Sequence, residues 1–479
     1  MIDLSKLKKL SNYLWEVPGS FRGDMRVPAR IYATEKMLKK IGQDRSLDQL
    51  INVTTLPGVY KYCLAMPDMH EGYGFPIGGV AAVDAENGII SPGGVGYDIN
   101  CGVRLLTGGF NFDESKDLIL DLANQIQRDV PSGVGRGGKI KLDKKEIDEV
   151  LKNGALWAVY RGYGEKRDLE FTEEEGRLKN ADPEFVFERA KKRGQDQVGT
   201  LGAGNHFLEI QKVEAVYDNT AAQHFELKKN QIVFMIHTGS RGLGHQVCTD
   251  YVRILNKEMP SDIRLPDREL VCAYFNSEQG QSYFKAMSAA ANFAWANRQM
   301  ISHWVRNSVK QILQKKSDLD YNLKILYDVA HNIAKQEIYD GKEYIVHRKG
   351  ATRCFGPGRI EVPEKYRSIG QPVIIPGSMG TASYVLSGTN LAMSETFGSA
   401  CHGAGRQMSR KKAVESINYN ALKTEMSAKK IITRAGSARG LVEEAPQAYK
   451  DIDEVVDVVH NSGIAKKVAR LVPLAVIKG

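Results

Sequence analysis

His237 closes the apolar run QIVFMI and opens the turn HTGSRG, and His331 closes KILYDVA immediately before Asn332. His206 stands in GAGNHFLEI, between a glycine turn and an apolar stretch. An imidazole at the end of a buried strand projects into the crevice where ligands bind. One such histidine is more often a satisfied core residue. Three of them, together with Asp98 and Cys101 in GGVGYDINCGVRL, point to a metal centre. Asp98 and Cys101 can present a carboxylate and a thiolate to one ion while imidazoles from distant segments complete the shell. Five candidate ligands exceed one tetrahedral site, and a sulfur can bridge, so two ions fit. Thiolate and imidazole donors by themselves suggest zinc.

His402 has a different setting, SACHGAGRQMSR, with Arg406 and Arg410 four and eight residues on. A helix begun near Ala404 would aim backbone N–H groups and both guanidiniums at a phosphate chain. A neutral imidazole placed there can attack phosphorus and hold the group covalently. The alternative is a structural histidine at a helix start. No GxxxxGK[ST] loop is present, which excludes ordinary P-loop chemistry, and no KxDG motif supports a lysine-adenylate route. The GxGxxG match at 133–138 follows Pro131-Ser132 and a helix-like segment rather than a strand, so it reads as a mobile surface loop and not a dinucleotide site.

The elements that position these groups read as a mixture of strands and helices. Ile232–Ile236 and Ile325–Ala330 are short, β-rich and apolar, as buried strands are. The stretch from Ser288 to Gln314 has apolar residues at helical spacing. The densely charged segment from Lys166 to Arg193 reads as a helical excursion on the surface. Glycine-rich turns carry nearly all the polar residues of interest. The expected fold class is α+β: one large compact unit, residues 1–479, of mixed sheets and helices around a central metal and nucleotide cleft. No repeat and no linker divides it.

With 479 residues, 42% hydrophobic and 26% charged, the chain can bury a large core without staples. No run approaches the roughly 20 apolar residues of a membrane helix. The lysines of MIDLSKLKKL are not followed by an apolar region, so no secretory signal is expected, and the expected compartment is the cytoplasm. Six scattered cysteines without a CxxC pair fit reducing conditions. The net charge is +9, and between Arg406 and Arg439 nine Lys/Arg face two Glu. Such a local basic field suits a polyanion, or is a solvated helical face.

The segments MPDMHEGYGFPIGG, GGVGYDINCGVRL, LGAGNHFLE, HTGSRGLGH, VAHN, VHRKGATR, PGSMGTASY, CHGAGR, EAPQAYKDI and the terminal VIKG resemble RtcB-family ligases. They occur in the family's order from about residue 60 to the end. The resemblance implies a 3′-phosphate/5′-hydroxyl RNA ligase that uses GTP and two Mn2+ ions. It implies that Asp98, Cys101 and His206 hold one manganese and Cys101, His237 and His331 the other, with Cys101 bridging. His402 matches the guanylylated histidine. Asn205 to Glu209 (including His206, Phe207 and Leu208), His331 and Asn332, Pro376, Gly377, Ser378 and Met379, Ser383, Gly403, Ala404 and Gly405, Tyr449 and Lys478 match the nucleotide pocket. Arg241, Lys349, Arg406 and Arg410 resemble positions that meet RNA or phosphate. Asp68 lies in a family signature without an assigned step. RNA, as tRNA halves or broken transcripts, is the implied substrate, and some members use an archease-type activator; a monomer is the simplest state. The rival readings are a two-metal phosphodiesterase or phosphatase, which needs no His402, and a non-catalytic RNA-binding protein.

Overall fold

The computed structural model describes residues 4–133 and 135–479. Residues 1–3, at the start of the segment read for a secretory signal, and Val134, inside the glycine loop at 133–138, lie outside the described residues.

The apolar run before His237 forms the strand Gln231–Thr238. It is one of four neighbouring antiparallel strands, in the order Leu323–Ala330, Gly102–Asn111, Gln231–Thr238 and Phe207–Val216. Buried on both faces, they read as nearly continuous apolar runs. The sheet continues through Ala465–Lys478, Ser383–Gly388 and Pro372–Ile375, and Ile432–Ala435 joins Ala465–Lys478 in parallel. Antiparallel pairing brings the starts of two strands beside the ends of two others. Gly102 pairs with both Ala330 and Thr238, and Phe207 pairs with His237. Cys101, His206, His237 and His331, distant in sequence, therefore meet at one end of the sheet.

A second sheet begins where the first ends. Asn332, next after His331, opens Asn332–Tyr339, the edge of a seven-stranded sheet. Inward from that edge come Lys342–Lys349, Ile77–Asp84, Cys63–His70 and Ala29–Tyr32, followed by two short N-terminal strands. The pair Ala351–Arg353 and Ser399–Cys401 sits at the same junction, with Ala351 opposite Cys401. The Ala351 N–H donates to the His331 carbonyl at 3.1 Å. This pairing brings His402 beside His331.

The helix expected from Ser288 runs from Glu278 to Lys316. Its start is set by Ser277, whose hydroxyl accepts from the Gly280 N–H; the polar first turns conceal this start from apolar periodicity. Its middle is buried on all sides, as a helix enclosed by other elements must be.

The charged segment is not a surface helix. It breaks into Lys166–Glu170 and Glu188–Gly194 with short turns between, and Glu174 and Glu175 are left-handed at φ 55° and 53°. The cause is that its acids enter the core, where a carboxylate persists only when paired. Asp168 accepts two bonds from Arg306 at 2.6 and 2.7 Å. Glu173 bonds Lys335 at 2.5 Å and the Ala330 N–H at 3.0 Å, next to His331 at the strand end. Among the described residues no helix is long and apolar enough to cross a membrane.

Candidate active site

Two groups of candidate ligands converge as expected. The donor atoms of Asp98, Cys101 and His206 lie within 4.8 Å of one another, and so do those of Cys101, His237 and His331. Cys101 Sγ, common to both, is 3.5 Å from His206 Nε2 and 3.3 Å from His237 Nε2. His237 Nε2 and His331 Nε2 are 3.3 Å apart.

His206 Nδ1 faces the Leu201 carbonyl at 3.1 Å and donates a proton to it. His206 Nε2 is 2.7 Å from a carboxylate oxygen of Asp98. A shared proton or a bound cation satisfies this pair. Burial pushes the His237 and His331 imidazoles well below their ordinary range, so both are neutral and able to ligate. Burial and the Asp98 carboxylate push the Cys101 thiol well up; a divalent ion reverses that balance and takes the thiolate. The donor set thus fits two divalent ions sharing one sulfur.

The long helix holds these ligands in place. Arg298, fully buried, donates to the carbonyls of Asn100 at 2.8 Å and Thr238 at 2.9 Å, the neighbours of Cys101 and His237. Its charge is met by Asp328, which Arg104 also grips, with Nε contacts of 2.8 and 2.7 Å. Asn297 bonds the carbonyls of Thr200 and Gly239, both at 3.1 Å.

His402 packs edge-on against His331, ring centroids 4.9 Å apart. Its Nδ1 is 2.6 Å from Asp68 Oδ2, which also accepts the backbone N–H groups of His402 at 3.0 Å and Gly403 at 3.3 Å. Asp68 is completely buried. Nδ1 donates its proton to this carboxylate, which fixes the ring with Nε2 on the side away from Asp68. Gly405 makes the approach possible: at φ +73° it lies so close to the Asp68 carbonyl that a Cβ would stand 2.2 Å from it.

Beside the candidate ligands a cleft of about 350 Å³ is walled by Asn205, Phe207, Asn332, Pro376–Met379, Gly403–Arg406, Arg410, Tyr449 and Lys478, with Asp98, Cys101, His237, His331 and His402 at one end. Glu444 organises its basic wall. It receives Arg406 and Arg410, each at 3.2 Å, and the Tyr449 hydroxyl, while Lys478 approaches to 3.9 Å. Burial alone would raise this carboxyl; Lys478, Arg410 and Arg406 outweigh it and hold it below the usual range. Glu209 lies on the strand that Lys478 pairs with. Burial raises it to about 8, and its Oε1 has no hydrogen-bond partner among the described residues.

Several of the expected residues do not line this cleft. Leu208 points into the core, because alternation along the strand puts it opposite Phe207. Ser383 supports the cleft indirectly by accepting the Gly377 N–H at 3.1 Å. Lys349 is buried, donates to the Tyr73 carbonyl, and is pushed down to about 7 by burial; it does not reach the cleft wall. Arg241 opens the helix Arg241–Lys257 and bonds Thr200 at 3.2 Å, with Asp98 near its charge. No helix begins at Ala404. The helix starts at Arg410, capped by Ser409, so the glycines at 403 and 405 form an irregular loop. Sequence reasoning left Asp68 without a role and passed over Glu444, Arg298 and Asn297. The DMH of MPDMH was the one available signal for Asp68.

The family model described as tRNA-splicing ligase RtcB matches residues 49–479. Relatives named tRNA-splicing ligase RtcB include that of Thermococcus kodakarensis, 54% identical over 484 residues and covering 100% of both chains. That of Archaeoglobus fulgidus is 52% identical over 478 residues, 99% of each. That of Methanococcus maripaludis is 51% identical over 480 residues, 99% of this chain and 100% of its own. With its motifs, its converging ligands and this coverage, the chain belongs to the tRNA-splicing ligase RtcB family.

Proposed function

We propose that the protein joins RNA 3′-phosphate or 2′,3′-cyclic phosphate ends to 5′-hydroxyl ends, in tRNA splicing or RNA repair, using GTP, two manganese ions and a guanylylated His402. The observation that carries this reading is the His402–Asp68 pair set against the metal ligand His331 at the end of a nucleotide-sized cleft. A phosphodiesterase using the same metal ligands has no need of that pair.

His402 Nε2 attacks the α-phosphorus of GTP, forming an N–P bond as pyrophosphate leaves. Asp68 keeps the proton on Nδ1 and offsets the positive charge the ring then carries. The RNA 3′-phosphate next takes the guanylate, the N–P bond breaks, and His402 is restored. The 5′-hydroxyl oxygen then attacks the 3′-phosphorus and GMP departs. A cyclic end is first opened by water to the 3′-phosphate. Asp98, Cys101, His206, His237 and His331 would hold the two ions, which supply positive charge to phosphoryl oxygens when bound. The donor set calls for divalent ions; manganese is the family expectation. Glu209, with an unpartnered oxygen, suits the N–H edge of guanine, and Phe207 and Tyr449 provide flat apolar walls.

The test uses a labelled RNA ending in a 2′,3′-cyclic phosphate with a 5′-hydroxyl acceptor, GTP and manganese. A phosphatase-resistant joined product that requires GTP is expected. GTP-independent opening or loss of the phosphate, without joining, favours the phosphodiesterase.

A further inference from the structure

Beyond the nucleotide cleft, three aromatic rings gather on the Asp98 side of the metal ligands. Tyr97, the residue before Asp98, stacks on His245 with centroids 4.9 Å apart and planes at 28°, and Tyr73 meets Tyr97 edge-on at 5.5 Å. His245 caps the stack: its inner face is covered by Tyr97 and the residue is exposed, while both tyrosines are half-buried. Neither phenol hydroxyl has a partner among the described side chains or backbone. Each ring is held by the catalytic framework. Tyr97 is on the turn that carries Asp98 and Cys101. His245 lies one helical turn after Arg241, in the helix whose preceding residue, Ser240, donates its N–H to Asp98 at 3.1 Å. Tyr73 is fixed through its carbonyl by the buried Lys349. Positive charge flanks the stack: Arg193 bonds Gln246, next to His245, at 3.0 Å, and Arg241 stands beside Asp98.

A sequence-tolerant platform for single-stranded nucleic acid has this composition, with aromatic faces for bases and guanidiniums for the backbone. We infer that the Tyr73–Tyr97–His245 stack is the seat of a nucleobase at the RNA end being joined, with the base stacking on the outer face of His245. This rests on the ligase reading and assigns it a base-binding subsite outside the guanylate cleft. It also gives Lys349 a role, since its buried amino group positions the tyrosine loop through the Tyr73 carbonyl instead of meeting phosphate.

The experiment titrates metal-loaded protein into short RNAs carrying 2-aminopurine at either the 3′-phosphate end or the 5′-hydroxyl end. Wild type is compared with His245→Ala and His245→Phe, each first checked for bound metal and for GTP labelling. Stacking predicts quenching at one of the two positions, and which position identifies the strand that is seated. His245→Ala should lose the quenching and bind roughly tenfold more weakly. His245→Phe should retain both, with the salt dependence of binding unchanged in all three proteins. Quenching at neither end by a wild type that ligates, or full quenching by His245→Ala, overturns the platform. His245→Phe failing like His245→Ala, with a shallower salt slope in both, overturns stacking in favour of a phosphate contact. A wild type that neither binds nor joins RNA overturns the ligase reading and the platform together.

Discussion

Replacing Asp68 by Asn probes how His402 is made a nucleophile. One carboxylate oxygen, Oδ2, accepts three N–H groups, from His402 Nδ1 and from the backbone of His402 and Gly403. These donors would hold the amide oxygen of Asn in the same place. The new NH2 would take the position of Oδ1, which has no hydrogen-bond partner. The variant therefore keeps geometry and tautomer and loses the negative charge. Once Nε2 is bonded to phosphorus, the ring carries a positive charge about 4 Å from the carboxylate, worth about 4 kcal/mol at an effective dielectric of about 20. At about 1.4 kcal/mol per factor of ten, guanylylation should slow by about a thousandfold. Rapid-quench single-turnover labelling with radioactive GTP measures the rate, and direct binding measures GTP affinity, which should change little. An Asp68→Asn protein that labels at the wild-type rate refutes the reasoning. So does a loss of affinity equal to the loss of rate, because Asp68 would then only shape the pocket.

Cys101→Ala should remove both ions, since its sulfur is shared by the two ligand groups; elemental analysis that finds two ions per chain contradicts the bridge. Glu209 should make stability depend on pH. Its folded-state value of about 8 lies above the unfolded carboxylate range, so the folded protein binds the proton more tightly. Its contribution is then full below about pH 4.3 and is lost as pH rises towards 8. Glu209→Gln should remove this decline, and denaturant unfolding that gives parallel pH profiles for the two proteins excludes it. The double charge reversal Lys411→Glu with Lys412→Glu, on exposed positions near Arg410, should flatten the salt dependence of RNA binding; an unchanged slope returns this stretch to a solvated face.

The convergence of the candidate ligands was legible because each adjoins an apolar strand whose end is marked by a glycine turn or a polar neighbour. His237 after QIVFMI and His331 after KILYDVA show this most plainly. Local pattern does not report how charge is spent in the interior. Asp168 and Glu173 sit in a segment that reads as solvated, yet their partners Arg306 and Lys335 lie more than a hundred residues away. Arg298 was hidden for the same reason, since its value lies in distant carbonyls beside Cys101 and His237. Spacing also misled at Arg406 and Arg410, where helical periodicity suggested a helix from Ala404. Gly405 instead follows a left-handed path imposed by the close approach of Asp68. Asp68 itself is one acid among many in sequence and acquires its role only when its strand is brought beside His402.

The most direct test of the account is incubation of the protein with α-32P-GTP and manganese, without RNA, followed by denaturing electrophoresis and acid treatment. A labelled, acid-labile band that is absent from His402→Ala is the predicted result. A folded, metal-bound protein that gives no band, or a band that persists in His402→Ala, contradicts histidine guanylylation as the first step.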